Sequence, residues 1–337
     1  MLYFKGKTFL LTPIIVLLFQ TWMSTQPLLG GNNVLMKDFS AEPADNMVKT
    51  AKSIGYKAVT NYDDGFVAAG SGGRIDWITV SGKIVKSKKI GLENFNCLLS
   101  QNNNVVVAGE HGAVFVTSDK ETFRKITSGT DKNINSLALF KGKIIAGTDD
   151  GEIVSGDGTG SFSKIPLGVK GNIVSVSARN GDCFGVTNKG EIIHTTDGTN
   201  WDIFDFNRIY KGFYKSCAFT SILAIEKSLA VAGVYDDGLP VFMFSTLGKV
   251  WSERPLVYND QQGIQKLLTD RPSGIFYDDI NDNFYLVCNG GMLMKLPSCS
   301  HCNELAEIPA LSLAGISGTN EMLLIVGEGF YVKSMNF

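Results

Sequence analysis

The chain has 337 residues, with 37 Gly, 9 Pro and an apolar fraction of 44%, enough for a sizeable core. Its 31 basic and 33 acidic residues nearly cancel to a formal net charge of −2, which excludes the basic footprint of a nucleic-acid binder. No Lys/Arg cluster points to an anionic membrane surface, and long charge runs and low-complexity tracts are absent.

At the N-terminus, Lys5 and Lys7 precede TFLLTPIIVLLF (residues 8–19). That run has the length of a signal-peptide apolar region, about 7–15 residues, and falls short of the roughly 20 of a spanning helix. QTWMSTQPLLGG, which follows, holds no small-residue cleavage pair, so a retained anchor stands beside a cleaved leader, with a buried helix as the third reading. No Cys follows the run, which argues against a lipoprotein anchor. Residues 1–45 are expected to be a signal peptide or N-terminal anchor plus linker. Export to the periplasm, cell surface or medium follows, with membrane contact only through an uncleaved anchor.

From residue 46 to 337 a strand–turn unit recurs. Seven apolar strands end in a small residue and a turn: GFVAAG (65–70), NVVVAG (104–109), KIIAG (143–147), CFGV (183–186), SLAVAG (228–233), FYLVC (284–288) and MLLIVG (322–327). Their ends are 39, 38, 39, 47, 55 and 39 residues apart. Periods near 40–45 residues with four strands each are the mark of β-propeller blades. A strand precedes each anchor (NCLLS, NSLALF, IVSVSAR) and a third follows it (AVFVT, EIVSG, EIIHT). A fourth comes next in six of the units, as in KIVKSKKI (83–90), FRKI (123–126), WDIFDF (201–206) and WSERPLV (251–257). The runs are β-branched or aromatic and bounded by Gly, Asn and Asp, and no helical period appears outside the leader. The expected fold is all-β, a seven-bladed propeller of four-stranded blades over residues 46–337. The seventh unit reaches Phe337 after its third strand, so NMVKTAKSI (46–54) is expected to supply its outer strand and close the ring. An irregular tail is the alternative. The two long steps place insertions at NRIYKGFYKS (207–216) and YNDQQGIQKLLTDRP (258–272), candidate binding loops on a rigid scaffold.

The cysteines are Cys97, Cys183, Cys217, Cys288, Cys299 and Cys302. Cys183 and Cys288 lie in apolar strands as small core residues. Cys299 and Cys302 form the one C-x-x-C, open to a loop disulfide, free thiols, or redox or metal chemistry. Zinc normally takes four ligands and no second pair exists, so no metal is assigned.

The phrase TTDGTNW (195–201), with TSDKETF (117–123), SGDGTGSF (155–162) and STLGKVW (245–251), which lacks the Asp, resembles the Asp-box or BNR repeat. The form is similar to that of the photosystem II assembly-factor family of propellers. Three blades do not show the box. Its carboxylate can accept backbone N–H bonds within its own turn. The resemblance implies that Asp119, Asp157 and Asp197 are structural, that Trp201 and Trp251 pack between blades, and that these turns lie away from known active sites.

Sialidases also carry such boxes, and their chemistry resembles a Tyr nucleophile with a Glu, an Asp acid and three Arg clamps. Of Arg74, Arg124, Arg179, Arg208, Arg254 and Arg271, Arg124 and Arg254 lie in outer strands, away from the axis, and no R-I-P motif occurs. His111, His194 and His301 come from different blades, and no H-x-x-x-H, nucleophile elbow or phosphate loop is present. The reading is an exported, non-catalytic scaffold for binding or assembly. It is expected to be a monomer without cofactor, its partner another envelope or extracellular protein. The alternative is a sialidase-like hydrolase or carbohydrate-binding propeller. The turns between second and third strands share one face and carry Arg74, Glu110, His111, Asp149, Asp150, Lys189, Asp236, Asp237 and Glu328. That acidic mouth would attract a basic segment or a cation, or be a solvated rim. The related family's contact face is basic, so the resemblance does not carry its partner over.

Overall fold

The computed structural model describes residues 54–297 except 102, and residues 304–308 and 312–337. The leader, residues 46–53 of the ring-closing segment, Cys299, His301 and Cys302 lie outside the described residues.

The anchor strands dictate the architecture. Gly65–Gly70 and Asn283–Cys288 are buried at every position, so each needs a packed layer on both of its faces. Antiparallel sheets arranged as blades around an axis provide that. Blade 1 comprises Tyr56–Tyr62, Gly65–Gly70, Arg74–Thr79 and Ile84–Lys89, hydrogen-bonded in that order from the axis outward. Blades 2 to 6 repeat it from inner strands Phe95–Gln101, Ile134–Phe140, Ile173–Arg179, Cys217–Ile225 and Pro272–Asp278. Blade 7 contributes Leu313–Gly318, Met322–Gly327 and Tyr331–Asn336, three strands among the described residues where the others have four. The protein is a seven-bladed, all-β propeller.

Each inner strand touches the next, and Tyr56–Tyr62 touches Leu313–Gly318, so the circle is complete. At that seam the Asn61 amide donates to the Gly318 carbonyl, and the Ser317 hydroxyl donates to Asn61 Oδ1 at 2.6 Å. The core is seven wedges, one between each pair of neighbouring blades. Alternation along an anchor strand feeds two wedges at once: Val67 and Ala69 face blade 2, while Phe66 and Ala68 face blade 7. Phe123, Phe162, Trp201 and Trp251, the aromatics that end the box phrases, each pack into the wedge shared with the preceding blade. Cys183 and Cys288 are fully buried core thiols, and burial pushes both up to about 12.

Long cations fasten neighbouring blades. Arg124 of blade 2 donates to the Thr159 and Gly158 carbonyls of blade 3, both at 2.8 Å. Arg179 of blade 4 reaches the Ile225 and Thr246 carbonyls of blade 5, and Arg254 of blade 5 reaches the Pro297 carbonyl of blade 6.

Two insertions depart from expectation. The outer strand of blade 5 pairs over Ser252–Glu253, the Arg254 N–H donates to the Phe242 carbonyl, and the chain then leaves the sheet. Val257–Asn259 instead forms a separate hairpin with Gln265–Leu267. After blade 4, Phe206–Ile209 makes one helical turn, N-capped by Asp205, whose carboxylate accepts from the Arg208 N–H at 3.0 Å.

Candidate functional site

One hydrogen bond, repeated in all seven blades, builds the mouth face. The N–H after the second strand donates to the carbonyl of the residue before the inner strand. The pairs are Ser71 to Gly55, Glu110 to Asn94, Asp149 to Asn133, Asn188 to Asn172, Asp236 to Ser216, Asn289 to Arg271 and Glu328 to Ser312. Their close approach explains the glycine that ends many anchor strands: a Cβ on Gly109 would lie 2.0 Å from the Asn94 carbonyl oxygen.

These bonds bring the nine candidate mouth residues to one face, where most are engaged within the fold. Glu110 accepts from the Asn94 amide at 2.8 Å, and Asp149 from the amides of Asn133 at 2.8 Å and Asn135 at 2.9 Å. Asp150 pairs with Lys132 at 2.8 Å, and Asp237 pairs with Lys215. Arg74 Nε binds the buried Asp76 at 2.7 Å, and its guanidinium lies 4.4 Å from the centre of the Phe330 ring. His111 is the left-handed centre of a tight turn, φ 54°, with its N–H held by Asn133 Oδ1 at 3.2 Å. The Lys189 carbonyl accepts from Asn207 at 3.0 Å. Among the described residues no ion pair reaches Lys189, Asp236 or Glu328.

The asparagines are what residue-by-residue reading missed. Asn94, Asn133 and Asn172 each accept, at 2.8–3.2 Å, from the turn of the preceding blade, at Gly72, His111 and Asp150. They recur at intervals of 39 residues, so the signal was present in the repeat.

The axis carries a second sevenfold device. The register slips at the start of every inner strand, leaving a bulged residue per blade: Lys57, Asn96, Asn135, Val174, Thr220, Ser273 and Ala314. All seven line a channel of about 230 Å³. Asn96, Asn135 and Ser273 also bond the carbonyls of Ile134, Ile173 and Leu313 on the next blade, at 3.1, 3.1 and 2.6 Å. Among the described residues, Lys57 is the one charged residue lining this channel.

Inner strands run from the mouth to the opposite, far face, so the turns from first to second strand emerge there. Between blades 5, 6, 7 and 1 they enclose a groove of about 720 Å³. Its apolar lining is Leu223, Ile225, Phe276, Tyr277 and Phe337, and its charged lining is Glu226, Lys227, Asp278 and Asp279. Phe337 stacks on Phe276 with ring centres 6.0 Å apart. Asp278 is buried and holds its own turn, accepting from the Ile280 and Asn281 N–H groups at 3.0 and 3.2 Å. The Tyr277 hydroxyl donates to Asp282 at 2.6 Å, and that bond, with burial, pushes the phenol up to about 12. Glu226 and Asp279 are exposed, and among the described residues no ion pair engages them.

The box turns sit on the same far face, farther from the axis. Asp119 accepts from the N–H groups of Glu121 and Thr122, Asp157 from Thr159 and Gly160, and Asp197 from Thr199 and Asn200, all within 2.7–3.1 Å. His194 bonds Asp182 at 2.8 Å and stacks on Phe184 with ring centres 4.5 Å apart. Among the described residues no three His, Cys, Asp or Glu side chains are grouped to hold a metal.

No protein-family model matches the chain, and no curated protein matches it in sequence. Solved structures match its shape. The WD40 β-propeller domain of Doa1 is 10% identical at a TM-score of 0.64, over 83% of this chain and 92% of that one. YCF48, solved bound to D1 peptide, is 12% identical at 0.62, over 85% and 92%. The Neurospora crassa Pan2 WD40 domain is 8% identical at 0.62, over 83% and 88%. The likeness is one of fold.

Proposed function

We propose that the protein is a non-catalytic, exported scaffold that binds another envelope or extracellular protein. The observation that carries this reading is the open far-face groove, where Phe276, Tyr277 and Phe337 stand beside the exposed carboxylates of Glu226 and Asp279. Half-buried aromatic rings beside exposed carboxylates that make no ion pair among the described residues fit recognition. The similarity of shape to YCF48 with its D1 peptide adds that this architecture can hold a peptide. The box turns, with aspartates bonded to their own backbone, suit the degenerate Asp-box repeats that the sequence resembles. A sialidase would gather three guanidinium groups on one carboxylate. Arg124, Arg179 and Arg254 are each committed to carbonyls of a neighbouring blade, which favours the non-catalytic reading.

Affinity capture from envelope extract, followed by mass spectrometry, tests the proposal together with a fluorogenic sialoside assay. A specific protein is expected to be retained and no sialoside cleaved. Turnover, or capture of nothing beyond background, would sink it.

A further inference from the structure

We infer that the far-face groove docks an extended peptide segment in which Lys or Arg side chains alternate with apolar ones. This deepens the proposed scaffold role and rests on it. The cavity of about 720 Å³ lies within the range of roughly 300–1,000 Å³ found for built ligand sites, and it crosses the inner ends of four blades. Its floor is apolar: Leu223, Ile225, and the stacked pair Phe276 and Phe337.

The lining charges choose the occupant. Two exposed carboxylates, on Glu226 and Asp279, face one cation, Lys227, while Asp278 is buried and held by its own turn. Bare apolar peptide would leave those charges uncompensated, and an acidic one would be repelled. A cationic side chain beside Phe276 or Tyr277 gains from the ring face as well as from the carboxylates. The apolar residues of the same segment then cover the floor. Because Glu226 and Asp279 are exposed turn residues and Asp278 alone secures its turn, the first two can be changed without removing a bond that the fold uses.

The test uses the full chain and two fluorescein-labelled octapeptides, one alternating Lys or Arg with Leu or Phe, the other carrying Glu in place of the cations. Fluorescence anisotropy is read for the parent, for E226K/D279K, and for D150K/D237K, which makes the same charge change on the mouth face. The basic peptide is expected to bind the parent, more weakly as salt is raised, and the acidic one not at all. E226K/D279K is expected to lose at least about tenfold in affinity, while D150K/D237K stays within about twofold. Circular dichroism confirms that both variants fold. F337A supplies an independent arm: it removes floor without changing charge and is expected to weaken binding severalfold. Equal losses in the two charge variants, loss only in D150K/D237K, or no binding of the basic peptide by the parent would overturn the inference. A protein captured from extract whose retention survives E226K/D279K would leave the scaffold reading standing and reject the groove. Sialoside turnover would reject the scaffold reading itself.

Discussion

The two ends of the ring carry similar residues to different ends. On the mouth face, Glu110 and Asp149 receive asparagine amides from the strands they cap, and Asp150 and Asp237 are paired with lysines. On the far face, Glu226 and Asp279 border a groove of mixed lining, with no ion pair among the described residues. A count of acidic turn residues does not separate these cases. What separates them is where the hydrogen bonds go, because a carboxylate that completes a turn is no longer available to a partner.

If the mouth turns serve the fold, damage there should cost stability, most of all where backbones touch. Gly109→Ala should cost about 3 kcal/mol, since its Cβ would sit 2.0 Å from the Asn94 carbonyl oxygen and only backbone can yield. Urea unfolding of the purified variant measures this, and a loss below half that value would mean the seam is loose. A smaller contrast comes from two acidic residues. Asp149→Ala leaves the Asn133 amide without this acceptor and the Asn135 amide with the Ile173 carbonyl alone, and should cost about 2 kcal/mol. Asp279→Ala on the far face should change stability by less than about 0.5 kcal/mol. Similar losses in the two variants, measured by the same unfolding curves, would erase the distinction between the faces.

The sevenfold count was legible because the anchor strands announce themselves. GFVAAG, NVVVAG and MLLIVG are apolar at consecutive positions, as a strand buried on both faces must be, and they end where the backbone meets its neighbour. The box turns were legible because an Asp two or three residues ahead of free N–H groups is a local device. The groove was not, because Leu223, Phe276 and Phe337 come from three blades and become one surface only when the ring closes. The bulged residues were hidden for a related reason. Lys57, Asn96 and Ser273 share a geometry without sharing a residue type, so no pattern of identities marks them. The split of WSERPLV was hidden as well, because the hairpin that takes its second half depends on pairing with Gln265–Leu267.

The smallest effect sharpens the comparison within the far face itself, between the groove and the box turns outside it. Backbone N–H bonds hold the carboxyls of Asp119, Asp157 and Asp197 well below the ordinary aspartate range, Asp157 from 3.8 to about 2. A carboxyl that binds its proton less readily when folded makes folding release protons, so its contribution is complete above the unfolded value. It is lost as pH falls through the folded one, between 3.8 and about 2 for Asp157. The triple variant D119N/D157N/D197N keeps an oxygen acceptor in each turn and removes the titration. Its Tm is expected to fall less steeply than the parent's across that window and to run parallel to it above pH 5. E226Q/D279Q, which changes groove carboxylates that hold no turn, should leave stability at neutral pH within about 0.5 kcal/mol of the parent's. If the triple variant and the parent lose Tm in parallel on acidification, the box aspartates are not bound to their turns in solution as they are here. The acid sensitivity of the ring would then have to come from other carboxylates.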